Sequence, residues 1–108
     1  MKIQFKLWLE KDKRVLFGEG RNLLLQAIED HGSLAQAAKI MGMSYRAAWG
    51  RLKASEDRLG FHLAEKDVEQ GKKGGLRLTS EGKKLLNTYN TIHLAMEALV
   101  KDLERKYF

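Results

Sequence analysis

Residues 32–60 read GSLAQAAKIMGMSYRAAWGRLKASEDRLG, and this stretch decides the fold. Ser33 is a good helix N-cap, because its hydroxyl can accept from an amide of the first turn, and Gln36 three residues on makes the pair a capping box. Ala35, Ala38 and Met41 follow at helical spacing. Gly42 then stops the helix, since a residue tolerant of positive φ ends a helix sharply. Ser44 caps a second helix that runs to Leu59 and is closed by Gly60. Helix, glycine-containing turn, helix is the geometry of a helix-turn-helix, a motif whose second helix lies in a DNA major groove.

Upstream, Ile3, Phe5, Leu7 and Leu9 alternate with Lys2, Gln4, Lys6 and Trp8, the period of a half-buried strand. Lys11–Arg14 makes a polar turn and Val15–Phe17 a return strand, so residues 1–17 are expected to form a β-hairpin. A first helix starts after Gly18 and runs through Leu23, Leu24, Ala27 and Ile28 to Gly32, which makes 20–60 a three-helix core. Downstream, Phe61–Glu69 and Leu76–Leu78 read as strands around the loop Gln70–Gly75. A basic hairpin directly after a helix-turn-helix is a wing, here 61–78. Thr79 caps a last helix over 79–106. Its apolar residues Leu85, Tyr89, Ile92, Met96, Leu99 and Leu103 recur at alternating intervals of a heptad seam, flanked by Leu86, His93 and Val100. Such a seam can lie on the domain's own core, but on so long a helix, beyond the wing, a two-fold dimer interface is the preferred reading. The expected fold class is α+β, mostly helical: a winged helix-turn-helix with an N-terminal β-hairpin and a long C-terminal dimerisation helix.

The chain has 108 residues, one domain's worth, with 44% apolar and 31% charged residues. No apolar run approaches the roughly 20 residues that span a bilayer, and no signal peptide precedes the first charges, so no membrane role is expected. Cysteine is absent, which removes disulfides, thiol catalysis and cysteine zinc sites and fits a cytoplasmic address. The net charge of +6 favours polyanionic partners, though a basic balance also serves simple solubility. The arrangement of the charges has to decide.

On the helix that begins at Ser44, Ala48, Leu52, Ser55 and Leu59 share one side, which is the buried side. Arg46, Gly50 and Lys53 lie opposite, with Ala47 and Ala54 beside them. A major groove about 12 Å wide admits a helix whose approaching face is not bulky, so Gly50 and the alanines leave Arg46 and Lys53 to reach base edges and phosphates. Tyr45 and Trp49 sit on a flank. Trp49 reads equally as a domain-filling aromatic or a DNA contact. Tyr45 either packs under the turn or offers its hydroxyl to a phosphate, and the second reading is preferred. In the wing, Lys72, Lys73 and Arg77 can each neutralise a phosphate, adding affinity but little sequence information.

From Gly32 to about Leu86 the chain resembles the N-terminal DNA-binding domain of the molybdate-responsive ModE regulators. The resemblance rests on GSLAQAAKIMGMSYRAAW, Gly32 to Trp49, and GKKGGLRLTSEGKKLL, Gly71 to Leu86. Its most specific pieces are Ser44-Tyr45-Arg46-Ala47-Ala48-Trp49 and the glycine-rich wing leading into Leu78-Thr79-Ser80-Glu81-Gly82. Looser signals are shared with LysR-type winged helices. The resemblance implies double-stranded DNA as partner and a homodimer that sets Tyr45, Arg46 and their neighbours in successive major grooves, with Ser33, Gln36, Ser44, Ala47, Trp49, Gly50 and Lys53 on the DNA side. The wing is shorter and poorer in glycine than is usual in that family. Molybdate binds ModE proteins in separate C-terminal domains with no counterpart in these residues, so molybdate is not expected to bind this chain.

His31, His62 and His93 are widely separated and form no metal set, and neither a nucleophile elbow nor a Walker ending accompanies the glycine-rich loop. No cofactor, metal or catalysis is expected. A non-catalytic alternative is a winged helix that docks an acidic protein through Arg46, Trp49 and the wing.

Overall fold

The computed structural model describes residues 1–68 and 74–108. The chain runs β1 (Trp8–Lys11), β2 (Arg14–Gly18), α1 (Glu19–His31), α2 (Leu34–Ile40), α3 (Tyr45–Leu59), β3 (Ala64–Lys66), β4 (Leu76–Leu78) and α4 (Ser80–Tyr107). This is the expected mostly helical winged helix-turn-helix. The local punctuation explains most boundaries. Gly32 and Gly60 close α1 and α3 in the left-handed region, their amides donating to Ile28 and Glu56 carbonyls. Gly42, also left-handed, turns the chain between α2 and α3. Ser33, Ser44 and Thr79 accept from the amides of Gln36, Ala47 and Gly82 at 3.1, 3.0 and 3.0 Å. The capping box is only half formed: among the described residues the Gln36 side chain makes no bond back to Ser33. Within α2 the core takes Leu34, Ala37 and Ala38, while Ala35 is exposed.

The core sits where α1, α2 and α3 meet β4 and the first turns of α4, with Phe17, Leu24, Leu25, Ile28 and Leu63 wholly enclosed. The wing strands β3 and β4 are antiparallel, Ala64 opposite Leu78. The loop end of the wing ladder is tied to the α1–α2 turn, where the Leu76 amide donates to the Gly32 carbonyl at 2.8 Å and Ser33 bridges Gly75. At the other end of the wing, the Thr79 hydroxyl donates to the His62 carbonyl (2.7 Å) and its amide to the Leu63 carbonyl (3.0 Å). Gly82 lets α4 come this close: a Cβ there would lie 2.1 Å from the Leu63 carbonyl oxygen. The spacing Leu78-Thr79-x-x-Gly82 is thus a clamp between the first turn of α4 and the segment before β3.

Three expectations need correction. The alternation over residues 3–9 is real as burial, but the β-ladder begins only at Trp8. Residues 3–7 run along α4: the Ile3 amide donates to Glu104 at 2.8 Å, the Phe5 ring lies tilted 5.2 Å from that of His93, and the Leu7 carbonyl accepts from the Tyr89 hydroxyl at 2.8 Å. A helix buries alternate residues of an extended segment as well as a sheet does, so period two marks the half-buried face and not its partner. Second, the strand expected over 61–69 is confined to Ala64–Lys66 among the described residues, because the backbone at His62 and Leu63 is committed to Thr79 and Glu56. Third, Tyr89, placed in the dimer seam, is buried within the chain at 2% exposure, edge-on to Phe17. Leu85 is half-buried against the same core. The first heptad positions of α4 therefore serve the domain, whereas Ile92, Met96 and Leu99 are exposed and Leu103 is half-buried.

The hairpin turn is a two-residue one, with Asp12 at φ 53° and Lys13 at φ 65°. Left-handed backbone at both central positions is the turn that matches strand twist, and aspartate tolerates it without glycine.

Candidate nucleic-acid interface

α3 is held by its inner face and by one buried carboxylate. Ala48, Leu52 and Ser55 are buried as their spacing demands, the Ser55 hydroxyl donating to the Arg51 carbonyl at 3.0 Å. Glu56 lies beside them. Its carboxylate accepts from the Leu63 amide at 2.7 Å, from Ala64 at 3.4 Å and from the Lys53 ammonium at 3.1 Å, with His62 Nδ1 at 3.6 Å. Burial alone would raise the Glu56 carboxyl, but the Leu63 amide, Lys53 and the Ala64 amide together hold it below the usual carboxylate range. Glu56 thereby sets the segment leading to β3 at a fixed distance from α3. Sequence reasoning passed over it, although an acid one turn from both Leu52 and Leu59 on the apolar stripe was a readable signal.

The outward ridge of α3 carries Arg46 and Gly50, both exposed. Arg46 has no ion-pair partner among the described residues. A Cβ on Gly50 would meet nothing within 4 Å, so nothing inside the chain requires glycine there. Ala47 and Ala54 are half-buried beside the ridge. Lys53 is less available than its spacing implied: besides Glu56 it stands 5.0 Å from the Trp49 ring centroid. Asp57, eleven residues after Arg46, also faces outward and sets one acid on the same ridge.

Tyr45 and Trp49 form the flank toward the wing, 56% and 47% exposed, so neither fills the core. Between them and the wing runs an open groove of about 820 Å³ lined by Leu34, Leu52, Asp67 and Leu76. Arg77 pairs with Glu65 at 3.2 Å and lies 3.8 Å from Asp67, so it braces the wing hairpin. Lys72 and Lys73 lie outside the described residues. Ser33 and Ser44 occupy their hydroxyl acceptors as caps at the starts of α2 and α3, with exposed Gln36 one turn into α2.

Among the described residues no group of three or more metal-ligating side chains occurs, and no helix is long and apolar enough to cross a membrane. The family described as bacterial regulatory helix-turn-helix protein, LysR family, matches residues 23–83. The molybdenum transport protein ModE of Azotobacter vinelandii is 26% identical over 101 residues, covering 94% of this chain and 37% of that protein. The DNA-binding transcriptional dual regulator ModE of Escherichia coli K12 is 30% identical over 93 residues, covering 85% of this chain and 35% of that protein. The chain spans about a third of the length of these curated relatives. In the crystal structure of the CbnR_DBD–DNA complex, a chain 28% identical superposes with a TM-score of 0.60, over 82% of this chain and 95% of that one. With the matched segment covering the whole helix-turn-helix, the wing and the start of α4, the chain belongs to the LysR-type family of bacterial regulatory helix-turn-helix proteins, homologous to the N-terminal part of ModE.

Proposed function

We propose that this chain is a DNA-binding transcriptional regulator, acting in the cytoplasm as a homodimer, without a cofactor, without catalysis and without binding molybdate itself. The observation that carries the reading is the bare ridge of α3: Arg46 exposed and unpaired, Gly50 open to solvent, and the wing alongside. An α-helix with its side chains is about 10–12 Å across and fills a major groove about 12 Å wide, so a glycine-flattened ridge reaches the floor where a larger residue would hold the helix off. Arg46, in the first turn of α3, stands where recognition helices carry their base-reading residues, and its guanidinium suits guanine O6 and N7. Tyr45, Trp49, Gln36 and the two capping serines are assigned to the same surface, with Lys72 and Lys73 as phosphate contacts.

Dimerisation is assigned to the distal half of α4. Ile92, Met96 and Leu99, the last 52% exposed, continue the heptad past the point where Tyr89 enters the core, with Leu103 beyond them. Ile3 and Phe5 already engage the neighbouring stripe at Glu104 and His93, so the seam is the face left for a second copy. Two recognition helices in one dimer then meet grooves about 34–36 Å apart or at a multiple of that distance. The test is selection of bound sites from random duplex DNA, followed by titration at several salt concentrations. Palindromic half-sites at that spacing and a slope near −0.9 per phosphate contact are expected. Binding without sequence preference or salt dependence would overturn the proposal.

A further inference from the structure

Arg21, Arg51 and Arg58 form a basic group that none of the contacts above uses. Arg51 and Arg58 are seven residues apart on α3, hence on one stripe, and both are exposed. Arg21, in the first turns of α1, is half-buried, α1 packs against α3, and Arg51 and Arg58 are near enough to repel its guanidinium. Burial first, then the repulsion of Arg51 and Arg58, holds its guanidinium below the usual arginine range. No carboxylate among the described residues pairs with any of the three. A cluster of like charges with no counter-charge disfavours the isolated chain and favours a state with an anion among them.

The position of the cluster says which anion. At about 100° per residue, Arg51 and Arg58 lie roughly 80–100° around α3 from Gly50 in one sense, and Trp49 about 100° in the other. A helix that fills a major groove has its ridge on the base edges and its two flanks against two phosphate walls. Trp49 and the wing stand at one wall. We propose that Arg21, Arg51 and Arg58 bind phosphodiester oxygens of the other wall, the strand on the side of α3 away from the wing. This rests on the reading of α3 as a major-groove helix. It goes further by giving the domain a second backbone clamp, contributed jointly by α1 and α3. Arginine suits the role, because its fork presents several donors to phosphate oxygens and its charge persists even when repelled.

The experiment compares the wild-type chain with the triple variant Arg21→Gln, Arg51→Gln, Arg58→Gln on a selected duplex, reading salt dependence and phosphate ethylation interference. Loss of three contacts per half-site should flatten the slope by about 2.7 for each half-site bound, about 5.4 for a dimer on both, at about 0.9 per phosphate. Interference should vanish at phosphates on the wing-distal strand only, with base preference unchanged. Removing mutual repulsion should leave thermal stability equal or higher, so reduced binding will not reflect unfolding. An unchanged slope and footprint with intact wild-type binding overturns this assignment alone and gives the cluster to an acidic protein partner. A wild-type chain that shows no salt-dependent DNA binding overturns both this and the function on which it rests.

Discussion

Two glycines in helices, Gly50 and Gly82, should respond oppositely to the same substitution. Alanine is the better helix former by about 1 kcal/mol. At Gly50 the new methyl meets nothing within 4 Å, so Gly50→Ala should stabilise the protein by up to about 1 kcal/mol. At Gly82 the methyl would lie 2.1 Å from the Leu63 carbonyl oxygen, which must retreat to at least 3.4 Å for ordinary contact. That oxygen accepts from the Thr79 amide, the Leu63 amide is held by Glu56, and the Leu63 side chain is wholly enclosed. Relief therefore means overpacking, at about 1–3 kcal/mol, and loss of one or two hydrogen bonds at about 1 kcal/mol each. Set against the helix-propensity gain, Gly82→Ala should cost about 1–4 kcal/mol. The assay is urea unfolding at one fixed protein concentration, because a dimer's apparent stability depends on it. DNA binding supplies the second arm: Gly50→Leu should keep the fold yet lose about tenfold or more in affinity, some 1.4 kcal/mol. Destabilisation by Gly50→Ala would show that the chain itself needs this glycine and would refute the argument for an open ridge. Equal behaviour of the two alanine variants would refute the clamp between α4 and Leu63.

Arg46→Ala should relax preference at one base position at a cost of about 1–3 kcal/mol, read by binding to a panel of single-base site variants; uniform weakening across the panel would make Arg46 a phosphate contact. Ile92→Asp places a charge in the exposed seam of α4 and should give monomers by sedimentation with helix content retained, and a persisting dimer would move the interface elsewhere. Glu56 has its folded pKa below its unfolded value of about 4.3, so its contribution is complete above that value and is lost as pH falls through the folded one. Urea midpoints measured downward from about pH 6 should show this acid loss in the wild type and a shallower fall in Glu56→Gln, whose stability at neutral pH should already be lower. Lys13→Gly removes a left-handed strain of about 1–2 kcal/mol and should stabilise the hairpin by about 1 kcal/mol after the entropic cost of glycine, measured by the thermal midpoint.

Much of this protein is legible in its residues because the responsible interactions are short. The three capping hydroxyls each reach an amide three residues on, and the glycines that end α1 and α3 need only their own backbone freedom. The helical period of Ala48, Leu52 and Ser55 assigns the buried face of α3, and with it the outward ridge of Arg46 and Gly50, without knowledge of what lies inside. What the residues do not reveal is which surface meets which. The N-terminal segment belongs to α4 through bonds between residues 82 and 101 positions apart, Leu7 with Tyr89 and Ile3 with Glu104. The same apolar spacing on α4 serves the core at Tyr89 and is left exposed at Ile92, and only the reach of the neighbouring elements separates the two. Lys53 looked available by spacing and is taken up by Glu56 and Trp49, while Arg21 joins Arg51 and Arg58 only once α1 packs on α3. Local sequence determined the elements and their faces because caps, turns and periodicity act within a few residues. Tertiary structure alone decided the partners of those faces, because burial and charge pairing depend on distances that the chain sets only after it has folded.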